Sequence, residues 1–253
     1  MEYNWAELNR RCAEALRYTP KITAIKFIHT DEELEAIPDK KYPKLGAVCE
    51  VVGLAGYYDK TLVCLPEDIS GNAYCQVTNG LAEIDEHWES GAALANVPFK
   101  WFETPEESRK HTGALVDGHP KGSPLKAIAV APIKIGSIKE PDVISLVIQP
   151  GAAFYFLSGL VYGNYRKLNF PFVGESSCMD TWGYTYNTGL PGISLGCRGD
   201  RCSGAMNNDE MRLTVTPKDF VEAIDGMVKL YNGGITFPFY PGMTIPTLKA
   251  LMK

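Results

Sequence analysis

Two apolar runs, Ala127-Ile-Ala-Val-Ala-Pro132 and Val143-Ile-Ser-Leu-Val-Ile148, constrain this 253-residue chain more than any other feature. A strand with one wet face alternates apolar and polar residues, and these runs do not, so both read as strands buried on two faces. Helices must then cover the sheet. Gln149-Pro150-Gly151 turns from the second run straight into Ala152–Tyr162, an apolar stretch of helical length. The expected class is α/β (mixed α+β), a mixed sheet covered by helices.

Other segments fill in that plan. Trp5, Leu8, Cys12, Ala15 and Leu16 recur at helical spacing, and Ile22–Ile28 reads as a β-branched strand behind Pro20. Asp31-Glu-Glu-Leu-Glu35 starts a short helix before Pro38. Leu45–Leu54 is an apolar run read as helix, and Thr61–Leu65 is a short strand leading into the turn Pro66–Gly71. Thr104-Pro105-Glu106-Glu107 has the hydroxyl cap, first-turn proline and early acids of a helix start, with an end near Gly113. Met211–Val215 alternates like a half-buried strand, and Thr216-Pro217 caps a helix running to about Tyr231.

The chain is long enough to bury one large core without disulfides. Its residues are 45% hydrophobic and 22% charged with a net charge of −5, and the densest basic stretch is only Asp39-Lys40-Lys41, so no nucleic-acid footprint is present. No segment reaches the roughly 18 uncharged apolar residues of a membrane span, and the N-terminus lacks the basic start and apolar core of a signal peptide. A cytoplasmic protein is expected. Its seven cysteines, Cys12, Cys49, Cys64, Cys75, Cys178, Cys197 and Cys202, would then be thiols or metal ligands rather than disulfides.

One order of features occurs twice. Cys49, a helix, Gly56, the strand Leu62–Cys64 and the turn Pro66–Asp68 are followed later by Cys178, a helix, Gly189, the strand Ile193–Leu195 and the turn Cys197–Arg201. This order predicts two pseudo-repeated halves, 20–120 and 121–235, inside a single compact domain spanning 1–253.

The densest local signal is Gly196-Cys197-Arg198-Gly199-Asp200-Arg201-Cys202-Ser203-Gly204. Its glycines allow close backbone approach to a ligand, and its arginines carry forked donors for an anion or cofactor, so Arg198, Gly199, Asp200 and Arg201 are candidate cofactor-binding residues. The alternative is a local turn in which Asp200 pairs with Arg198 or Arg201. The glycine spacing fits neither a phosphate loop nor a dinucleotide fingerprint, and no Gly-x-Ser-x-Gly or paired histidine motif occurs. Glu67-Asp68 and Asp209-Glu210 read as proton carriers or as solvated turn acids. The aromatics between Phe154 and Tyr186 fit core, a homo-oligomer interface or a flat-ligand pocket, with Trp182 and Tyr186 sharing a helix face after Cys178.

The order of Leu45-Gly-Ala-Val-Cys49, Leu65–Ser70 with Cys75 beyond it, Lys126–Pro132, Pro141-Asp-Val143, Ser177-Cys178, Cys197–Arg201 and Asn208–Leu213 resembles domain of unknown function family 169, the ArCR group, from about Ala6 to Tyr240. The resemblance implies no known activity. It does single out Cys49, Cys75, Cys178 and Cys197 as family cysteine positions, leaving Cys12, Cys64 and Cys202 particular to this chain. In the family the helix after the 141–149 strand starts with polar residues, whereas Ala152–Leu157 is aromatic here, so a pocket lined by that helix would differ.

Four thiolates are a full ligand set for an iron-sulfur cluster or a zinc ion. No Cys-x-x-Cys pair supports either. Ligands drawn from both halves and from glycine-rich turns favour the bulkier cluster, with redox or small anionic-ligand chemistry and an unspecified small-molecule or redox partner. The competing expectations are a non-catalytic module that binds an anion or flat cofactor beside inert packed thiols, and a nucleophilic or redox cysteine.

Overall fold

The apolar runs assemble, in a computed structural model that describes residues 3–95, 101–170 and 172–239, into one six-stranded sheet. Its strands are β1 (Lys21–Ile28), β2 (Leu62–Cys64), β3 (Ala127–Pro132), β4 (Val143–Ile148), β5 (Gly192–Ser194) and β6 (Met211–Val215), in the order β2-β3-β1-β4-β6-β5. Every ladder is antiparallel. The parallel component among the described residues is the isolated bridge between Lys41 and Leu62. The helices are α1 (Trp5–Leu16), α2 (Asp31–Glu35), α3 (Val48–Tyr58), α4 (Ala73–Thr78), α5 (Glu86–Glu89), α6 (Ala92–Ala95), α7 (Pro105–Ala114), α8 (Pro150–Leu160), α9 (Tyr184–Thr188), α10 (Arg198–Cys202) and α11 (Pro217–Asn232). The mixed α/β class with a helix-covered sheet is the one the apolar runs require.

Successive strand residues serve opposite buried faces, which explains the lack of visible alternation in β3 and β4. Ala127, Ala129, Ala131, Ile144, Leu146 and Ile148 join α1, α8 and α11 in one core. Helices α8 and α11 cross at two glycines, where a Cβ on Gly159 would lie 2.5 Å from the Ala223 carbonyl oxygen and one on Gly226 would overlap the Gly159 carbonyl. On the other face Ile25, Phe27, Ile128, Val130 and Val143 pack against Val48, Val51 and Val52 of α3 and against Trp182. Toward β6 that second face turns polar, with Thr23, Ser145, Arg212 and Thr214 all buried.

This polar patch corrects the half-buried reading of β6. All five residues of Met211–Val215 are buried, because Arg212 and Thr214 lie beneath a helical layer and satisfy their polar groups there. The Thr104 and Thr216 hydroxyls cap α7 and α11 as expected, and Thr30 forms a reciprocal capping box with Glu33. No helix among the described residues is long and apolar enough to cross a membrane.

Each half of the sheet is laid down in the same sequence: inner strand, edge strand, middle strand. Strands β1, β2 and β3 follow it on one side, β4, β5 and β6 on the other, with β1 and β4 adjacent and antiparallel at the centre. On each side one cysteine lies near a helix start between the inner and edge strands, and another follows the edge strand, Cys75 in α4 well beyond β2 and Cys197 close after β5. Strand β3 thus pairs on the same side of the sheet as β1 and β2.

Candidate functional site

Cys49, Cys75, Cys178 and Cys197, drawn from four separate segments, line one cavity of about 200 Å3. Each sits in the first turn of a helix or at its cap: Cys49 in α3, Cys75 in α4, Cys178 in the turn that begins at Ser177, and Cys197 as the extended N-cap residue of α10. The segment read as a glycine-rich turn is thus a one-turn helix that starts at Cys197. The cysteines are free thiols; Cys75 is buried and the other three partly exposed. The remaining cysteines lie elsewhere. Cys12 is in the α1 core and Cys64 faces α3 from β2, both buried, while Cys202 is exposed.

Local hydrogen bonds hold the first-half sulfurs. Ala47 offers no side-chain cap to α3, and the Val48 N–H instead donates to Cys75 Sγ at 3.2 Å. The Asn72 carboxamide accepts from Cys75 N at 3.0 Å, which starts α4, and donates to the Gly46 carbonyl at 2.9 Å. Asn79 donates to Cys75 O at 2.9 Å and to its Sγ at 3.4 Å, while its oxygen accepts the Trp182 indole N–H at 3.0 Å. Asn79 and Trp182 therefore join the two halves beneath the cavity.

In the second half, Ser177 Oγ lies 3.6 Å from Cys197 Sγ. Gly199 permits the approach of two sulfurs, since a Cβ there would be 3.2 Å from Cys49 Sγ and 3.6 Å from Cys197 Sγ. The Glu175 carboxylate accepts the Arg198 N–H at 3.1 Å at the cavity wall.

Of the four candidate cofactor residues, Arg198 and Gly199 line the cavity. Asp200 lies below it, fully buried and ion-paired with Arg212 at 2.6 Å rather than with either neighbouring arginine. Arg201 turns away, donating to the carbonyls of Asn207, at 2.6 Å, and Leu195. The acidic pairs behave as turn residues: Asp68 accepts from Leu65 N at 2.9 Å, and Glu210 from Asn207 N at 2.7 Å.

Trp182 lines the cavity, but Tyr186 packs on Phe27 and hydrogen-bonds His29 at 3.0 Å. A π turn over Met179–Gly183 separates them. It wraps more residues into one turn, so positions four apart no longer share the face expected of an α-helix. Helix α8 lies on the far side of the sheet and contributes nothing to the lining. Sequence reasoning missed Asn79 and Arg212. A lone arginine inside the apolar β6 run was the available sign of the second.

Burial pushes all four thiols up. Cys75 rises to about 11 despite its two donors, and Cys49, Cys178 and Cys197 also rise, with the Asp200 carboxylate adding to burial at Cys49 and Cys197. Burial thus favours the protonated form of each thiol over the thiolate. Among the described residues no group of three or more His, Cys, Asp or Glu side chains is arranged to hold a single metal ion.

An uncharacterised protein of Methanocaldococcus jannaschii is 27% identical over 173 residues, covering 60% of this chain and 72% of that protein. No solved structure matches. The family model described as uncharacterised ArCR matches residues 12–226, and those residues carry all four cavity cysteines. The chain therefore belongs to domain of unknown function family 169, the uncharacterised ArCR family.

Proposed function

We propose that this protein binds an iron-sulfur cluster through Cys49, Cys75, Cys178 and Cys197 and uses it in redox or small anionic-ligand chemistry in a reducing, cytoplasmic setting. One observation supports the reading: four cysteines from well-separated parts of the chain line one cavity of about 200 Å3. A water needs roughly 10–15 Å3 by the same kind of measure, so a single ion would leave most of this space unfilled. Four cysteines around such a space suit a multi-atom group.

The chemistry of the donors agrees. Thiols that burial holds protonated gain most from a cation that makes them thiolates. The Val48 N–H and the Asn79 amide on Cys75 Sγ are of the kind that tunes cluster potentials. Arg198 on the wall supplies positive charge for an anionic ligand, and Trp182 below keeps water from the inner side.

Anaerobic purification followed by iron, zinc and acid-labile sulfide analysis and an absorption spectrum tests the proposal. Stoichiometric iron and sulfide that vanish on Cys197→Ser but persist on Cys202→Ser are expected. Absence of both elements from anaerobically prepared protein would refute it.

A second reading draws on the aromatic part of the same lining, Tyr74, Trp101 and Trp182. Here the thiols are inert packing and the cavity takes a flat organic ligand. Metal-free protein that releases a stoichiometric organic compound on denaturation would favour it.

A further inference from the structure

Beneath the cavity lies a buried charged pair that no sulfur chemistry requires for ligation. The Asp200 carboxylate accepts two bonds from Arg212, from Nη2 at 2.6 Å and from Nε at 3.3 Å, and also accepts the Ser177 hydroxyl. Arg212 donates its third nitrogen to Ser145 Oγ at 3.1 Å, and its guanidinium carbon lies 5.0 Å from the Trp182 ring centre. Both charged side chains are 0% exposed.

This one pair reaches two of the four cysteine segments directly, and α10 carries a third. Asp200 belongs to α10, which Cys197 caps, and Ser177 immediately precedes Cys178. Helix α3, with Cys49, is seated through Gly53, where a Cβ would be 2.9 Å from the Gly204 backbone just beyond α10. The fourth segment connects through Trp182 and Asn79 to Cys75 Sγ. A buried ion pair is seldom more stabilising than apolar side chains of equal volume. Two opposite full charges under four sulfurs act on whatever charge the sulfurs carry.

We propose, resting on the cluster reading above, that Asp200 and Arg212 are positioning residues of the sulfur site, fixing the Cys178 and Cys197 segments and opposing one another in setting the charge that the site holds. Arg212 favours added negative charge at the sulfurs and Asp200 disfavours it. Removing either therefore shifts the site in opposite directions, whereas a purely structural pair would give the same loss from either side.

The test compares Asp200→Asn, Arg212→Met, Arg212→Lys and the double variant Asp200→Asn/Arg212→Met in full-length protein. Thermal unfolding, iron content and reduction potential are measured on the same samples. Asp200→Asn should favour the reduced cluster and Arg212→Met the oxidised one, each by about tenfold, or about 59 mV for one electron. The double variant and Arg212→Lys, which leave no net change in charge, should stay near the wild-type potential. Shifts of the same sign in the two single variants, or a shift in Arg212→Lys as large as in Arg212→Met, would overturn the proposal.

If the wild-type protein holds no iron, the cluster reading falls and the pair is judged on reduced, metal-free protein. Iodoacetamide labelling of Cys49 and Cys197, referenced to exposed Cys202, should speed up in Asp200→Asn and slow in Arg212→Met. Equal or parallel changes there would refute the pair's role independently.

Discussion

Replacing Gly199 by alanine separates the sulfur site from the stability of the fold. Gly199 lies within the one-turn helix α10 and its φ is not in the left-handed region, so alanine lowers the cost of ordering that turn by roughly 0.5–1 kcal/mol. Against this, the new methyl would sit 3.2 Å from Cys49 Sγ and 3.6 Å from Cys197 Sγ. The first distance is tight, and relieving it means moving a side-chain sulfur by a few tenths of an ångström, at a cost of about the same size. The two effects nearly cancel, so the midpoint of urea unfolding should stay within about 1 kcal/mol of wild type. The methyl nevertheless occupies the space both sulfurs face. Bound iron per chain should fall severalfold, and a cluster reconstituted from iron and sulfide should form slowly or not at all. Folded Gly199→Ala protein with full iron and an unchanged spectrum would refute the inference that a ligand fills the space between Cys49 and Cys197.

Three further outcomes follow from other parts of the molecule. Burial raises the Asp180 carboxyl to about 6 from 3.8; its contribution to stability is therefore full below pH 3.8 and lost as pH rises through 6, and Asp180→Asn should flatten that part of a stability-against-pH curve measured by urea unfolding. Cys12→Ser puts a hydroxyl into the fully buried α1 core and should cost about 1–3 kcal/mol without changing iron content, so loss of iron in folded Cys12→Ser protein would place this cysteine at the site after all. Gly226→Ala drives a methyl into the Gly159 carbonyl at the α8–α11 crossing and should destabilise by about 1–3 kcal/mol or more; an unchanged melting temperature would show that these helices can slide apart freely.

The element plan was legible because strand, cap and turn chemistry act over short stretches of chain. The two apolar runs required burial on both faces, and the threonine-proline starts of α7 and α11 set their boundaries before any tertiary contact. The order of cysteine, helix and edge strand along the chain was also readable. Strand β3 belongs with β1 and β2 through its ladder partners, and pairing between distant segments leaves no mark in local sequence.

What a side chain meets across the fold was beyond the sequence. Asp200, beside two arginines, pairs with neither and reaches Arg212 on β6, because the buried side of α10 faces the sheet while Arg201 closes a loop on backbone carbonyls. The π turn after Cys178 sent Trp182 to the cavity and Tyr186 away from it. For the cysteines, sequence alone established only a set of thiols, and the family resemblance chose four. Their meeting at one cavity was decided by the tertiary structure, since strands β1 and β4 lie side by side at the centre and so bring the helix starts of both halves to the same place.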